Sequence, residues 1–197
     1  MLAQSRRPRG QTRERILLLA ADWLQQRGYH GFSFAQIANA LDIQSGAVHY
    51  HFPAKQDLVA AIFKRYRETA VAWCDEHSSK HGDAGACVRA FLEWQASFLD
   101  AEQVCPLGVA GVEYASLPSK ACAEAESLRD EMIAWLTTTL SAGRDDGAVD
   151  FAGSAADQAA LIVSATSGAL QLARLNGSDD FRSVIRAVLA GLQTRGT

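Results

Sequence analysis

Proline is scarce in this chain, with four in 197 residues, at positions 8, 53, 106 and 118. Long stretches therefore hold nothing that must break a helix. Runs of β-branched residues are equally rare, while Ala, Leu, Gln and Arg are frequent. That balance excludes a sheet-rich fold and predicts an all-α protein. Cysteine is sparse too. Cys74, Cys87, Cys105 and Cys122 form no C-x-x-C pair and match no zinc-module spacing, so no metal site is predicted. No apolar run approaches the ~20 residues of a membrane span. The run Leu17–Ala21 is cut by Asp22 before it could serve as the apolar part of a secretory signal. A cytoplasmic location with reduced thiols, no membrane partner and no cofactor is the expectation.

What is present is an apolar share of 48%, enough to fill a sizeable core. Net charge is -3, which taken alone argues against nucleic acid. Its distribution reverses the argument. Met1 to Arg67 carries ten Lys/Arg against four Asp/Glu, and the remainder carries nine against eighteen. A basic front and an acidic back suit two different partners.

The first eleven residues hold Arg6, Arg7 and Arg9 without apolar periodicity, and read as a flexible basic arm that could follow a DNA backbone. Thr12 can cap a first helix, with Ile16, Ala20, Trp23 and Leu24 on one face and Gly28 as its stop. Ser33 with Gln36 makes a capping box for a second, short helix that ends near Asp42. Ser45 can cap a third, through His51, which Pro53 ends. A fourth starts near Lys55 and runs past Trp73, before a polar loop from Ser78 to Gly85. Longer helices follow at about 86–101, 109–116, 119–142, 154–175 and 179–193.

Two short helices joined by a four-residue link have helix-turn-helix spacing. Such a pair lays its second helix in the major groove, where base edges demand donors and acceptors. Gln44, Ser45, His49, Tyr50 and His51 supply them, and the small Gly46 and Ala47 permit close approach. Val48 and Phe52 can face inward. Phosphates need cations and free N–H groups. Lys55 at the start of the fourth helix, and Thr12 and Arg13 at the start of the first, fit that need. Ser33 joins them at the start of the second helix.

The order Arg15-Ile16, Ala20, Leu24, Gly28-Tyr29, Phe34, Ile37-Ala38, Ile43 and the run from Gly46 to Leu58 resembles the N-terminal domain of the TetR family (TetR/AcrR type) of transcriptional regulators. The resemblance implies a DNA-binding domain over 12–54, a connecting helix over 55–78 and a ligand-binding and dimerising domain over 79–197. It assigns the recognition helix to Ser45–His51 and a phosphate contact to Lys55. It implies a homodimeric regulator, most often a repressor, released from a pseudo-palindromic duplex operator by a small-molecule effector. Asp42 stands where the family's turn usually carries glycine, and His49 and His51 where it often has tyrosine.

In the C-terminal part the resemblance supplies roles without residues. Aromatic and polar side chains of the middle helices, Phe91, Trp94, Gln95, Phe98, Cys105, Tyr114 and Trp135, are the candidate effector pocket. Leu161, Ala165, Gly168, Leu172, Val184 and Val188, on the last two helices, are the candidate dimer interface. The stretch Cys105-Pro106-Leu107-Gly108 resembles one found in a branch of the family, where a cysteine can sense oxidants. That alternative needs an accessible thiol of low pKa. An enzymatic reading would use His49, His51 or Cys105, but no acid stands near the histidines to complete a triad. A non-specific or architectural DNA binder is the other class left open.

Overall fold

The structure is a computed structural model that describes residues 9–80 and 83–192. Among these, nine α-helices and one 3-10 turn account for the architecture: α1 (Arg9–Arg27), the turn Tyr29–Gly31, α2 (Phe34–Leu41), α3 (Ser45–His51), α4 (Lys55–Lys80), α5 (Ala84–Asp100), α6 (Pro106–Glu113), α7 (Ser119–Asp145), α8 (Ala155–Asn176) and α9 (Ser178–Gly191).

The helix ends correct several expectations. Arg6 and Arg7 lie outside the described residues. Gly10 and Gln11, read as arm, are already helical, so Thr12 sits inside α1 and caps nothing. The loop expected from Ser78 is shorter, because α4 continues to Lys80 and Asp83 caps α5 through the Gly85 N–H. α6 starts at Pro106 rather than Val109. Proline is favoured in a first turn, where its missing N–H would have no partner.

Ser33 caps α2 as expected. Its hydroxyl accepts from the Gln36 N–H at 3.3 Å, and the Gln36 side chain accepts from the Ser33 N–H at 2.8 Å. α2 then ends at Asp42 in the left-handed region, φ 52. The Asp42 N–H bonds to Asn39 O at 3.2 Å and the Ile43 N–H to Ala38 O at 3.0 Å, which turns the chain toward α3. Aspartate tolerates this conformation at a cost that glycine avoids. Asp42→Gly should therefore stabilise the fold by up to about 1 kcal/mol, read as a shift of the urea midpoint. No gain would mean that the carboxylate itself holds the turn.

The core is not divided at the expected domain boundary. Ile16, Leu24, Ile37, Val48, Phe52, Leu58 and Phe63 are buried in one cluster with Val109 and Ala110 of α6 and Ala121 and Cys122 of α7. A second cluster fills the space between the far half of α4 and α5, α7, α8 and α9. α7 lies along both α4 and α8. Arg67 of α4 reaches Glu124 at 2.6 Å and Glu131 at 3.0 Å on α7.

Candidate nucleic-acid interface and the cavity behind it

α3 presents its polar face outward because Val48 and Phe52, four apart, are both pulled into the core. That leaves Gln44, Ser45, Gly46, His49 and Tyr50 exposed, with Ala47 and His51 half-buried. Tyr50 is 68% exposed and touches the His51 ring edge-on at 5.2 Å. His49 packs edge-on against Phe34 at 4.9 Å, which ties α3 to α2. A Cβ added at Gly46 would meet nothing within 4 Å, so the gap there opens outward rather than into the fold. Ser45 is the first residue of α3 and makes no cap; Gln44 precedes it in extended backbone.

The expected phosphate contacts are placed less simply. The Lys55 ammonium donates to the Phe32 carbonyl and lies 4.2 Å from the centroid of the Phe32 ring and 4.8 Å from that of Tyr29. Burial pushes its pKa below the ordinary ammonium value, and Glu113 partly restores it. Two of its three N–H groups remain for another acceptor. Arg13 lies over the Phe52 ring at 4.9 Å. Ser33 uses its hydroxyl in the cap, and Thr12 is half-buried in α1. Arg15, missed in the sequence, donates to the Leu41 carbonyl at 3.2 Å and so braces α1 against the turn.

Behind this module lies a cavity of about 260 Å³ between α1, α4, α5, the start of α6 and α7. Trp94, Gln95, Phe98 and Cys105 line it as expected. Phe91 is fully buried beside it, and Trp135 packs against Trp73 at 5.4 Å in the adjoining aromatic cluster. Tyr114 does not belong here: it is 53% exposed on the far end of α6, bonded to Glu126.

Sequence reading missed the other wall. Leu18, Ala21 and Gln25 of α1, and Tyr66 of α4, line the same cavity. A signal was available. Ile16 to Leu19 is a run of four apolar residues, wider than one helix face can bury, so one of them must face something else.

α1 is also stitched to the segment between α5 and α6. The Tyr66 hydroxyl lies 3.0 Å from both Ala21 O and Gln25 Oε1, while Gln25 Nε2 donates to Val104 O at 2.7 Å. Gln103 donates to Asp22 at 2.9 Å. At the other end of α6, the Glu113 carboxylate accepts from the Tyr29 N–H and fills the space beside Gly28. Gly28 has φ 78 and ψ 179, a conformation open in practice only to glycine. α6 thus runs from the cavity, at Cys105, to the DNA-binding module, at Glu113.

Cys105 is 2% exposed, accepts from the Ser167 hydroxyl at 3.5 Å, and has its pKa pushed up by burial. A buried, protonated thiol is the opposite of what oxidant sensing needs. Burial likewise raises Tyr66 and Cys87, and pushes Cys74 up to about 12. These groups stay protonated in the fold at a pH where the unfolded chain has lost its protons. Their contribution is complete below the ordinary thiol and phenol values and is lost as pH rises through the raised ones. The urea midpoint should therefore be level near pH 8 and fall by pH 10.5, each group adding up to about 1.4 kcal/mol per pH unit. An unchanged midpoint would contradict these burials.

On the last two helices, Leu161, Gly168 and Leu172 lie on one exposed face of α8 together with Leu175. Ala165 and Val184 are instead partly buried against the chain's own core, and Val188 is buried in it. The register of α9 puts Phe181, Val188 and Leu192 inward, which leaves the small Ser183, Ala187, Ala190 and Gly191 outside.

Comparison with known proteins agrees with this geometry. The family described as "Bacterial regulatory proteins, tetR family" matches residues 16–62, from the middle of α1 to α4. A curated relative, the HTH-type transcriptional regulator LmrA of Bacillus subtilis, is 29% identical over 125 residues. That match covers 61% of this chain and spans 63% of the relative's own length, just under two thirds. A crystal structure of a TetR family transcriptional regulator from Agrobacterium tumefaciens superposes with a TM-score of 0.90 at 25% identity, covering 95% of this chain and 100% of that one. A TetR transcriptional regulator from Legionella pneumophila gives 0.82 at 26% identity, covering 92% and 97%. Fold, exposed α3 face and relatives together give the chain a helix-turn-helix module similar to that of transcriptional regulators. The chain thus matches the tetR family's model over residues 16–62 and shares the fold of TetR family structures over nearly its whole length.

Proposed function

We propose that this chain is a homodimeric cytoplasmic repressor that binds a pseudo-palindromic duplex operator and leaves it when a small-molecule effector enters the cavity behind α1. The parts divide as 12–54 for DNA, 55–78 as connector and 79–197 for effector and partner. The observation that carries the reading is that α1 serves two sites at once. One face packs on α2 and α3, and another, through Leu18, Ala21 and Gln25, lines the cavity. A molecule entering there must press on the helix that braces the recognition helix. In the reading, α3 meets base edges through Gln44, Ser45, His49, Tyr50 and His51. Lys55 holds a phosphate with the N–H groups that Phe32 leaves free.

Dimerisation is supported by the exposed α8 face, where Leu161, Leu172 and Leu175 are 57%, 53% and 78% exposed. Such a row of large apolar side chains is costly to leave in water. A two-fold dimer would place two copies of α3 on successive major grooves. Sedimentation at micromolar concentration should give a dimer.

Footprinting on the promoter of the chain's own gene supplies a candidate operator. Affinity is then measured on that duplex and on a scrambled one across a salt series. A regulator holds the specific duplex at least about a thousandfold more tightly at fixed salt. Equal affinities, falling together with salt, would make it an architectural binder instead.

A further inference from the structure

We propose that the cavity behind α1 takes a neutral, flat aromatic molecule of about two fused rings that carries one hydrogen-bond donor, and that the Gln95 side-chain carbonyl receives that donor. The proposal rests on the effector reading above and names the ligand class that reading lacks.

Size comes first. A protein cavity of about 150 Å³ lined by apolar side chains accommodates benzene, so 260 Å³ has room for a second ring. Shape follows from the walls. Trp94 is held in place by stacking on Trp73, with centroids 4.9 Å apart and planes 13° apart, and Phe98 stands 6.2 Å from Trp94. Leu128 and Met132 of α7 close the opposite side. Aromatic faces and a thioether favour a flat ring.

Charge is excluded next. Of the ionic groups bordering the cavity, Arg65 is paired with Glu14, and Asp22 is exposed to water, where Gln103 donates to it. Tyr66 and Cys105 have their pKa values pushed up by burial and are neutral. A net charge on the ligand would lose its water without gaining a buried counter-charge.

Polarity is decided by what is left over. The Tyr66 hydroxyl proton is taken by Ala21 O and Gln25 Oε1, and the Gln25 amide N–H by Val104 O. Gln95 is 1% exposed, and its Oε1 has no hydrogen-bond partner. A buried carbonyl left without a donor is costly, so a ligand group that supplies one gains a bond at this wall. The cavity therefore offers an acceptor at its wall, and the ligand must bring the O–H or N–H.

The test is calorimetric titration of the full chain with three probes: 2-naphthol, its methyl ether 2-methoxynaphthalene, and 2-naphthoate. The same titrations are run on Gln95→Leu, which replaces the amide by an apolar side chain of similar length. Naphthol should bind the natural chain, the methyl ether roughly tenfold or more weakly, and naphthoate more weakly still. In Gln95→Leu the naphthol and its ether should bind alike. Three results overturn the ligand class: no binding of naphthol, an ether as tight as naphthol on the natural chain, or discrimination that survives in Gln95→Leu. A folded Gln95→Leu is verified by its unfolding midpoint. If it does not fold, Gln95→Met gives the same comparison. Operator affinity at saturating naphthol is read in parallel. Naphthol bound with the expected discrimination but without operator release would uphold the ligand class and refute the effector reading.

Discussion

Replacing Tyr50 with alanine will lower operator affinity by roughly a hundredfold while leaving the unfolding midpoint unchanged. Both halves follow from where the side chain sits. Tyr50 is 68% exposed and its ring meets only that of His51, so truncation opens no cavity and should move stability by no more than about 0.5 kcal/mol. On DNA the same side chain stands at the centre of the exposed face of α3. One well-placed polar contact is worth about 1–3 kcal/mol, and a two-fold dimer makes it twice. Fluorescence anisotropy on the footprinted duplex, at one fixed salt concentration, reads the loss. An unchanged affinity would mean that α3 meets the groove by another face. Phenylalanine at the same position separates the hydroxyl from the ring.

Phe63→Ala should cost about 3–5 kcal/mol and take DNA binding down with the fold. Phe63 is fully buried on α4, edge-on to Tyr66 at 5.8 Å, in the cluster that holds Ile16 and Leu24 of α1 together with Val109 of α6 and Ala121 of α7. A chain of this size is stable by about 5–15 kcal/mol, so the loss is a large fraction of the total. Thermal unfolding should move down by roughly 10 °C. Its neighbour provides the control. Lys64 forms an exposed pair with Glu68, both side chains more than half in water, and Lys64→Ala should change stability by less than about 0.5 kcal/mol. A Phe63 variant as stable as the Lys64 one would contradict the shared core.

Why the helix-turn-helix pair was legible in the residues while the cavity was not has a physical reason. The capping box at Ser33, the left-handed turn at Asp42 and the burial of Val48 and Phe52 are local matters, decided within about twenty residues. Helical period and capping chemistry reach that far. The start of α1 was misplaced by the same local logic, since Thr12 is a good cap that the chain does not use. The dimer candidates were half inward because the period of α9 marks an apolar stripe without saying which neighbour covers it. Val188 meets its own core, while the small residues beside it face out.

Lys55 shows the limit most plainly. Its place after Pro53, at the start of α4, is readable as a phosphate contact. Its bond to the Phe32 carbonyl, the two rings beneath it and the nearby Glu113 depend on residues 23, 26 and 58 positions away. Tyr114 was grouped with the pocket aromatics, and the short helix α6 carries it to the opposite end instead.

The N-terminal third was thus determined by the sequence alone: an all-α module with α2 and α3 at helix-turn-helix spacing and a polar face on α3. Only the tertiary structure decided that α1 is shared between that module and a cavity, with Leu18 and Gln25 on one side and Trp94 and Gln95 on the other. It likewise decided that Glu113 ties the far end of α6 to Tyr29. Local periodicity tells which residues leave water. Which of them meet across 70 or more positions is set by how the nine helices of the described residues pack around the clusters they share.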